Sequence, residues 1–267
     1  MRNDKVLSYK HLLLLAGGWL VLMMMGAAET AGTTGSWIQS LWQQIDFNLI
    51  QGDRYKMLLD GLGVTLRVSI VAAILGFVLG MVVALMRLSN FHIGKFYPLR
   101  WISSVYVDII RGTPVVVQLV IMYHIILVRC SNSDIVAFLT FGLNSAAYVS
   151  EIIRGGILAV DKGQTEAGRS LGLSSGKTML LIVIPQMIKI VLPTLLNEII
   201  ALLKETSILG YIGMMDLTKA GDYIRSRTYS PYVPYFTVAL VYMAMVTILS
   251  NVFKKIEGRL RKGDRHH

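Results

Sequence analysis

The chain has 267 residues, of which 54% are hydrophobic and only 16% charged, where a soluble domain carries about 25% charged residues; with a mean hydropathy of +0.58, a water-soluble globule and a disordered chain are both excluded. The net charge of +10 sits between apolar blocks and not along one polar stripe, so it reads as membrane topology and not as a nucleic-acid surface. Cys130 stands alone, which leaves no disulfide within the chain and no cysteine-ligated zinc or iron–sulfur site.

A hydrocarbon layer about 30 Å thick needs about 20 mainly apolar residues in a helix. Segments near 11–28, 61–87, 101–128, 134–153, 179–203 and 232–252 meet or approach that length. None shows the alternation of barrel strands, and backbone amides cannot stay unpaired in lipid, so the expected class is an all-α polytopic bundle of about six transmembrane helices. Lys and Arg then fall unevenly on the two sides. With a cytoplasmic N-terminus, sixteen lie in inner segments, among them Arg87, Arg154 and Lys162, against seven in outer ones such as Arg54 and Arg129. Both termini are therefore expected inside.

In chain order, residues 1–28 read as an N-terminal transmembrane helix or signal anchor. The basic start, leucine-rich run and Gly26-Ala27-Ala28 also resemble a cleavable secretory signal. Residues 29–60 follow as an outer segment in which Trp37, Ile38, Leu41, Trp42 and Ile45 recur at helical spacing. Such a stripe suits a helix in the headgroup layer, the alternative being a loop with two exposed Trp residues. The core spans 61–253, and 254–267 is a basic cytoplasmic tail.

Within the core, Arg111-Gly112-Thr113-Pro114 interrupts the third span. Proline lacks the N–H and crowds the preceding turn, so a kink or helix restart is predicted there, with Arg111 at the cytoplasmic end. A cytoplasmic segment, 155–178, lies between the fourth and fifth spans and reads as two short helices. Gly172 ends the first, and Ser174 or Ser175 caps the second. Pro185 and Pro193 bracket Lys189 in the fifth span and predict a bend or hinge.

Two motifs in the cytoplasmic segment mislead. Gly172 to Thr178 resembles a phosphate-binding loop but is one residue short and follows no strand. Gly172, Ser174 and Gly176 fit the Gly-x-Ser-x-Gly elbow of hydrolases, yet no strand precedes them and no His is suitably spaced. No catalytic residue and no metal site is expected, because no His pair at i, i+4 accompanies an acid.

The same segment carries Glu166-Ala167-Gly168, three residues, Gly172, nine residues, then Ile182-Val183-Ile184-Pro185. This resembles the EAA signature of ABC-importer permeases, with Gly168 in place of the third Ala and Ile184 in place of Leu. Three further stretches are similar to the polar amino acid subfamily (histidine, glutamine and arginine type). They are Arg111 to Pro114 with Gln118; Asn144 to Tyr148 with Glu151, Arg154, Gly155 and Gly156; and Lys204-Glu205-Thr206-Ser207. The resemblance covers about residues 55–255 of a family that usually has five spans.

What the resemblance implies is a permease subunit of a bacterial cytoplasmic membrane importer that moves a polar amino acid by alternating access. It would pair with a second copy or a similar permease, surrounded by membrane lipid, with a solute-binding protein outside. Glu166, Ala167, Gly168, Arg169 and Gly172 would form the coupling helix that docks on separate ABC ATPase subunits. No cofactor is expected on this chain, since ATP and Mg would sit on that partner. Local chemistry suits docking, for Glu166 and Arg169 share a helical face and the small residues permit close approach; a solvated connector is the plainer alternative. The competing class is an ATPase-independent secondary transporter or channel, which calls for inverted repeats or intramembrane acids.

Residues of the pathway are read from helical faces. Asn144, Tyr148 and Glu151 fall at i, i+4 and i+7, and Asn197 and Glu198 belong to a polar and small stripe in the fifth span, with Gln118 near the middle of the third. An intramembrane carboxylate costs about 2.5–3.5 kcal/mol on insertion scales, so Glu198 should face the bundle interior or water. These groups either surround the substrate or hydrogen-bond helix to helix.

Overall fold

A computed structural model describes residues 37–263, with side chains from 39 to 259. The expected first span, 11–28, lies outside the described residues, as do 29–36 and the end of the basic tail. The described chain divides into two units, residues 37–64 with 215–245, and residues 65–214 with 246–263.

The described residues are helical apart from short connections and a single β-bridge between Ile93 and Phe96. Helix α1 covers Trp37–Ile45, and α2 covers Arg54–Leu88. They are joined by a π turn at Asp46–Ile50 and a 3₁₀ turn at Gln51–Asp53, in which Gly52 takes φ +68°. The tryptophan stripe is thus helical, and Trp42 is exposed. Helix α2 begins at Arg54 and not near 61. In its first turns Leu58 and Gly61 are buried within their own unit, where a Cβ on Gly61 would stand 2.8 Å from the Asp216 carbonyl, while Tyr55 and Leu59 are exposed.

Four of the described helices are long and apolar enough to cross a membrane, or five counting one bent pair. That pair is α3, Pro98–Gly112, and α4, Val115–Ile121, which continues as a π stretch to Ile126 and is bent from α3 by 106°. Thr113 is extended (φ −121°, ψ 143°), as a residue before proline must be, and Pro114 is the N-cap of α4. The interruption is a restart.

Helix α5 runs Ser133–Ala159, six residues past the expected end at 153. Close packing explains the extension: a Cβ on Gly156 would lie 2.0 Å from Val191 Cγ1, so this glycine belongs to a helix contact and not to the expected cytoplasmic loop at 155. Two short helices follow, α6 at Lys162–Ser170 and α7 at Ser175–Thr178. A π turn, Met179–Val183, leads into α8, Ile184–Glu205, and a 3₁₀ segment, Thr206–Ile212, closes at Gly213 with φ +78°. Pro193 lies inside α8, which stays a continuous helix through it.

Val149, Ile153, Val183, Met187 and Val191 form one buried core between α5 and α8. Across α2, Gly76 and Gly80 let α5 approach, since a Cβ on either would lie 2.7 Å from Ser145 Cβ or Val149 Cβ. Small residues four apart are how membrane helices bring backbones together when lipid offers no hydrophobic drive.

Helix α9, Leu217–Thr228, occupies a stretch with no expected helix, and α10 covers Tyr232–Gly263; α9 and the part of α10 up to residue 245 belong to the other unit. Leu58, Leu217, Ala220, Ile224 and Val238 form its core. Asp216 caps α9 by accepting from the amides of Thr218 and Lys219, and its burial pushes the carboxyl above the usual range despite those donors.

Candidate functional site

The EAA-like segment is built around a glycine turn. Asp161 caps α6 by accepting from Gly163 N–H at 2.6 Å. At the other end Leu173 N–H donates to Gly168 O (3.1 Å) and Gly172 N–H to Arg169 O (3.0 Å), with Gly172 at φ +83°. This is a Schellman closure, which needs a left-handed residue at Gly172. Arg169 Nη1 adds a bond to Leu173 O at 3.0 Å, so its guanidinium closes the turn. Ser174 accepts from Lys177 N–H and starts α7, which makes it a helix cap and not the nucleophile its motif resembles.

Gly168 is the buried residue of α6. A Cβ there would meet Ile182 Cδ1 at 2.7 Å and Thr178 Cγ2 at 2.9 Å, which gives the departure from the family's third alanine a physical reason. Gln186 Nε2 donates to Gln164 Oε1 at 3.2 Å and ties α6 to the start of α8. The remaining face is bare. Glu166 and Ala167 are exposed, and so is Leu171, at 82%. The Glu166 carboxylate makes no hydrogen bond or ion pair among the described residues.

The expected pathway residues come together in pairs. Asn144, buried, donates from Nδ2 to Gln118 Oε1 at 3.1 Å. Gln118 Nε2 in turn donates to Ile110 O (2.7 Å), Thr113 O (3.0 Å) and Thr113 Oγ1 (2.9 Å). One amide on α4 thus serves a carbonyl near the end of α3 and another within the break, and its oxygen ties that break to α5. Beside it lies a cavity of about 240 Å³ lined mainly by Ile109, Val117, Ile121 and Leu143.

Glu198 is half-buried and accepts from Ser145 Oγ at 3.2 Å. Asn197, next to it, is exposed. Tyr148 lies under the Arg111 guanidinium, 5.3 Å from its ring centroid. Glu151 is engaged on one oxygen by Arg87 and on the other by Arg154 Nη2 at 2.8 Å. The shared face expected for Asn144, Tyr148 and Glu151 therefore divides among four internal partners, Gln118, Arg111, Arg87 and Arg154, and any solute meeting these groups competes with bonds already made.

Ser145 and Thr113 lie within the family-like stretches and Arg87 among the inner basic residues, but the sequence gives none of the three a role in the site. The Gly76-x-x-x-Gly80 spacing could have flagged Ser145, because it marks where α5 comes closest. Among the described residues no group of three or more His, Cys, Asp or Glu could hold a metal ion.

Residues 76–262 match the family described as binding-protein-dependent transport system inner membrane component. The chain belongs to that family. It is 39% identical to the arginine transport system permease protein ArtQ of Bacillus subtilis over 78% of this chain and 94% of that protein. With the putative glutamine transport system permease protein GlnP of Rickettsia felis it shares 38% identity over 76% of this chain and 92% of that one. A crystal structure of an amino acid ABC transporter with histidines superposes at TM-score 0.71 with 35% identity, covering 85% of this chain and 100% of its counterpart. The permease is accordingly a multi-pass inner-membrane protein, and its all-α bundle is the fold of that structure.

Proposed function

We propose that this permease subunit moves a polar amino acid into the cytoplasm in an ATP-driven importer, with ATP and Mg bound by a separate ATPase and the solute delivered from outside by a binding protein. The observation that carries the reading is α6: a glycine-turned helix packed through Gly168 on Thr178 and Ile182 and tied to α8 by Gln164, while Glu166, Ala167 and Leu171 stay bare. A surface held in place yet left uncovered suits docking on a neighbouring subunit. Because α7 and the π turn join α6 to α8, movement of the ATPase would reach the intramembrane segment through covalent and packed contacts. Both termini lie inside in this reading, as the positive charges suggest.

The names of the relatives support an amino acid as cargo. In the membrane, Asn144 and Glu198 would offer a donor and an acceptor to its charged ends, with Asn197 beside them. Gln118 and Glu151 would hold the surrounding helices in position, and Arg111, Pro114, Pro185 and Pro193 would set the geometry that alternates. A second copy or a similar permease completes the pathway.

The test is uptake of labelled arginine, glutamine and histidine into proteoliposomes that hold this chain with its ATPase and binding protein. Uptake should require enclosed ATP. A Glu166→Ala change should lower uptake at least tenfold, about 1.4 kcal/mol of coupling, while solute still binds the binding protein. Uptake without the ATPase would overturn the reading.

A further inference from the structure

We propose that the connection between α2 and α3, residues 89–97 with Arg100 and Trp101, is a docking surface for anionic phospholipid headgroups. It joins two apolar helices, α2 ending at Leu88 and α3 beginning at Pro98, so a nine-residue link keeps it at one face of the bilayer.

The connection is an ordered hairpin. Ile93 N–H donates to Phe96 O at 2.8 Å and Phe96 N–H to Ile93 O at 3.1 Å, around a two-residue turn with Gly94 at φ +61°. Side chains alternate across such a bridge. Ile93 and Phe96 therefore share one face, and Phe96 meets Trp101 with ring centroids 6.2 Å apart. His92 and Tyr97 form the opposite pair at 5.6 Å. Arg100 fastens the hairpin: its Nε donates to Ser89 O and its Nη2 to Asn90 Oδ1, each at 2.7 Å, and its guanidinium stands 4.8 Å from the Tyr97 ring centroid.

Ile93, Phe96 and Trp101 are 65%, 51% and 58% exposed. Beside them Lys95, at the tip, makes no hydrogen bond or ion pair among the described residues. Arg100 keeps N–H donors beyond the two it uses. No acidic residue occurs from Leu88 to Val107. Apolar and aromatic groups at headgroup depth, beside two cations in a stretch that holds no acidic residue, select a negatively charged lipid surface, and the preformed hairpin lowers the ordering cost of binding it.

The experiment uses the full chain in nanodiscs with Trp19, Trp37 and Trp42 replaced by Phe, so that Trp101 alone reports. Brominated phosphatidylglycerol should quench it at a mole fraction at least about fivefold below that needed for brominated phosphatidylcholine, as ~1 kcal/mol for each basic residue near the surface requires. Lys95→Gln should reduce that preference about fivefold, Lys95→Arg should restore it, and Ile93→Ser should weaken quenching by both lipids. Equal quenching in the parent chain would overturn the proposal. So would a Lys95→Gln variant that keeps its lipid preference and loses only a co-purifying protein, which would assign the surface to that partner.

Discussion

Two proline-bearing regions of this permease behave differently. At Pro114 the helix stops and restarts at 106°, whereas α8 carries Pro193 in its interior without a break. At the first site Thr113 is extended, and the freed carbonyls of Ile110 and Thr113 find a donor in Gln118. At the second, α8 is pressed against α5 through Val191 and Gly156, and the turn before Pro185 has already widened, with Ile184 N–H reaching back to Met179 O. That wider turn relieves the collision between the Pro185 ring and the carbonyl four residues earlier, while Pro193 itself is carried in α-helix. Proline thus breaks a membrane helix where a side chain takes over the backbone's bonds, and is carried along where a neighbouring helix holds the rod.

The largest effect comes from disturbing the helix that holds α8 straight. Gly156→Leu drives a side chain into Val191, and the expected cost, near the upper end of about 1–3 kcal/mol, should appear as a lower midpoint of thermal unfolding in detergent. Next is the donor at the break. Gln118→Ala should cost about 1–2 kcal/mol, while Gln118→Glu, which keeps size and loses the NH₂, should match it; full stability in both would show that the bend does not depend on this amide. Thr113→Val removes one acceptor from Gln118 and the bond to Ile109 O, for about 0.6 kcal/mol.

Pro193→Ala should change stability by less than about 1 kcal/mol, since α8 is already continuous. Its readout is coupled uptake, which falls if the proline acts as a hinge and is unchanged if it is only tolerated. A control outside both regions has the smallest effect. Asp222, on α9, is held down to about 2 by its bonds to Arg225 and Lys219. The stability it adds is present above the ordinary Asp range near 4 and disappears as pH falls from there through 2, and Asp222→Asn should flatten that part of the acid-unfolding curve.

Much of the fold was legible because long apolar runs have few solutions in lipid. The five described spans, the Pro114 restart and the turn at Gly172 with its Ser174 cap all follow from local rules about N–H groups and left-handed residues. Helix α9 was not legible: it is polar on average, and what stabilises it is burial of Leu217, Ala220 and Ile224 against distant residues. The far end of α5 was misplaced for a related reason. Gly155-Gly156 looks like a loop in one dimension and is a contact with Val191 in three.

The candidate site divides in the same way. Spacing alone pointed to Glu166, Gly168 and Gly172 in one segment, and to Asn144, Tyr148 and Glu151 on one face. It could not tell that Arg169 turns to Leu173, that Glu151 is taken by Arg87 and Arg154, or that Gln118 serves the bend.

Hydropathy and helix punctuation act over a few turns, so the amino-acid order by itself determined the class, the approximate places of the described spans and the turn of the EAA-like segment. Partners of polar groups depend on which helices meet and at what height. Only the tertiary structure therefore decided which carboxylates and amides are spent within the chain and which, like Glu166, have no partner among the described residues, because a hydrogen bond reaches about 3 Å while Gln118 and Asn144, Ser145 and Glu198, and Arg87 and Glu151 lie 26, 53 and 64 positions apart.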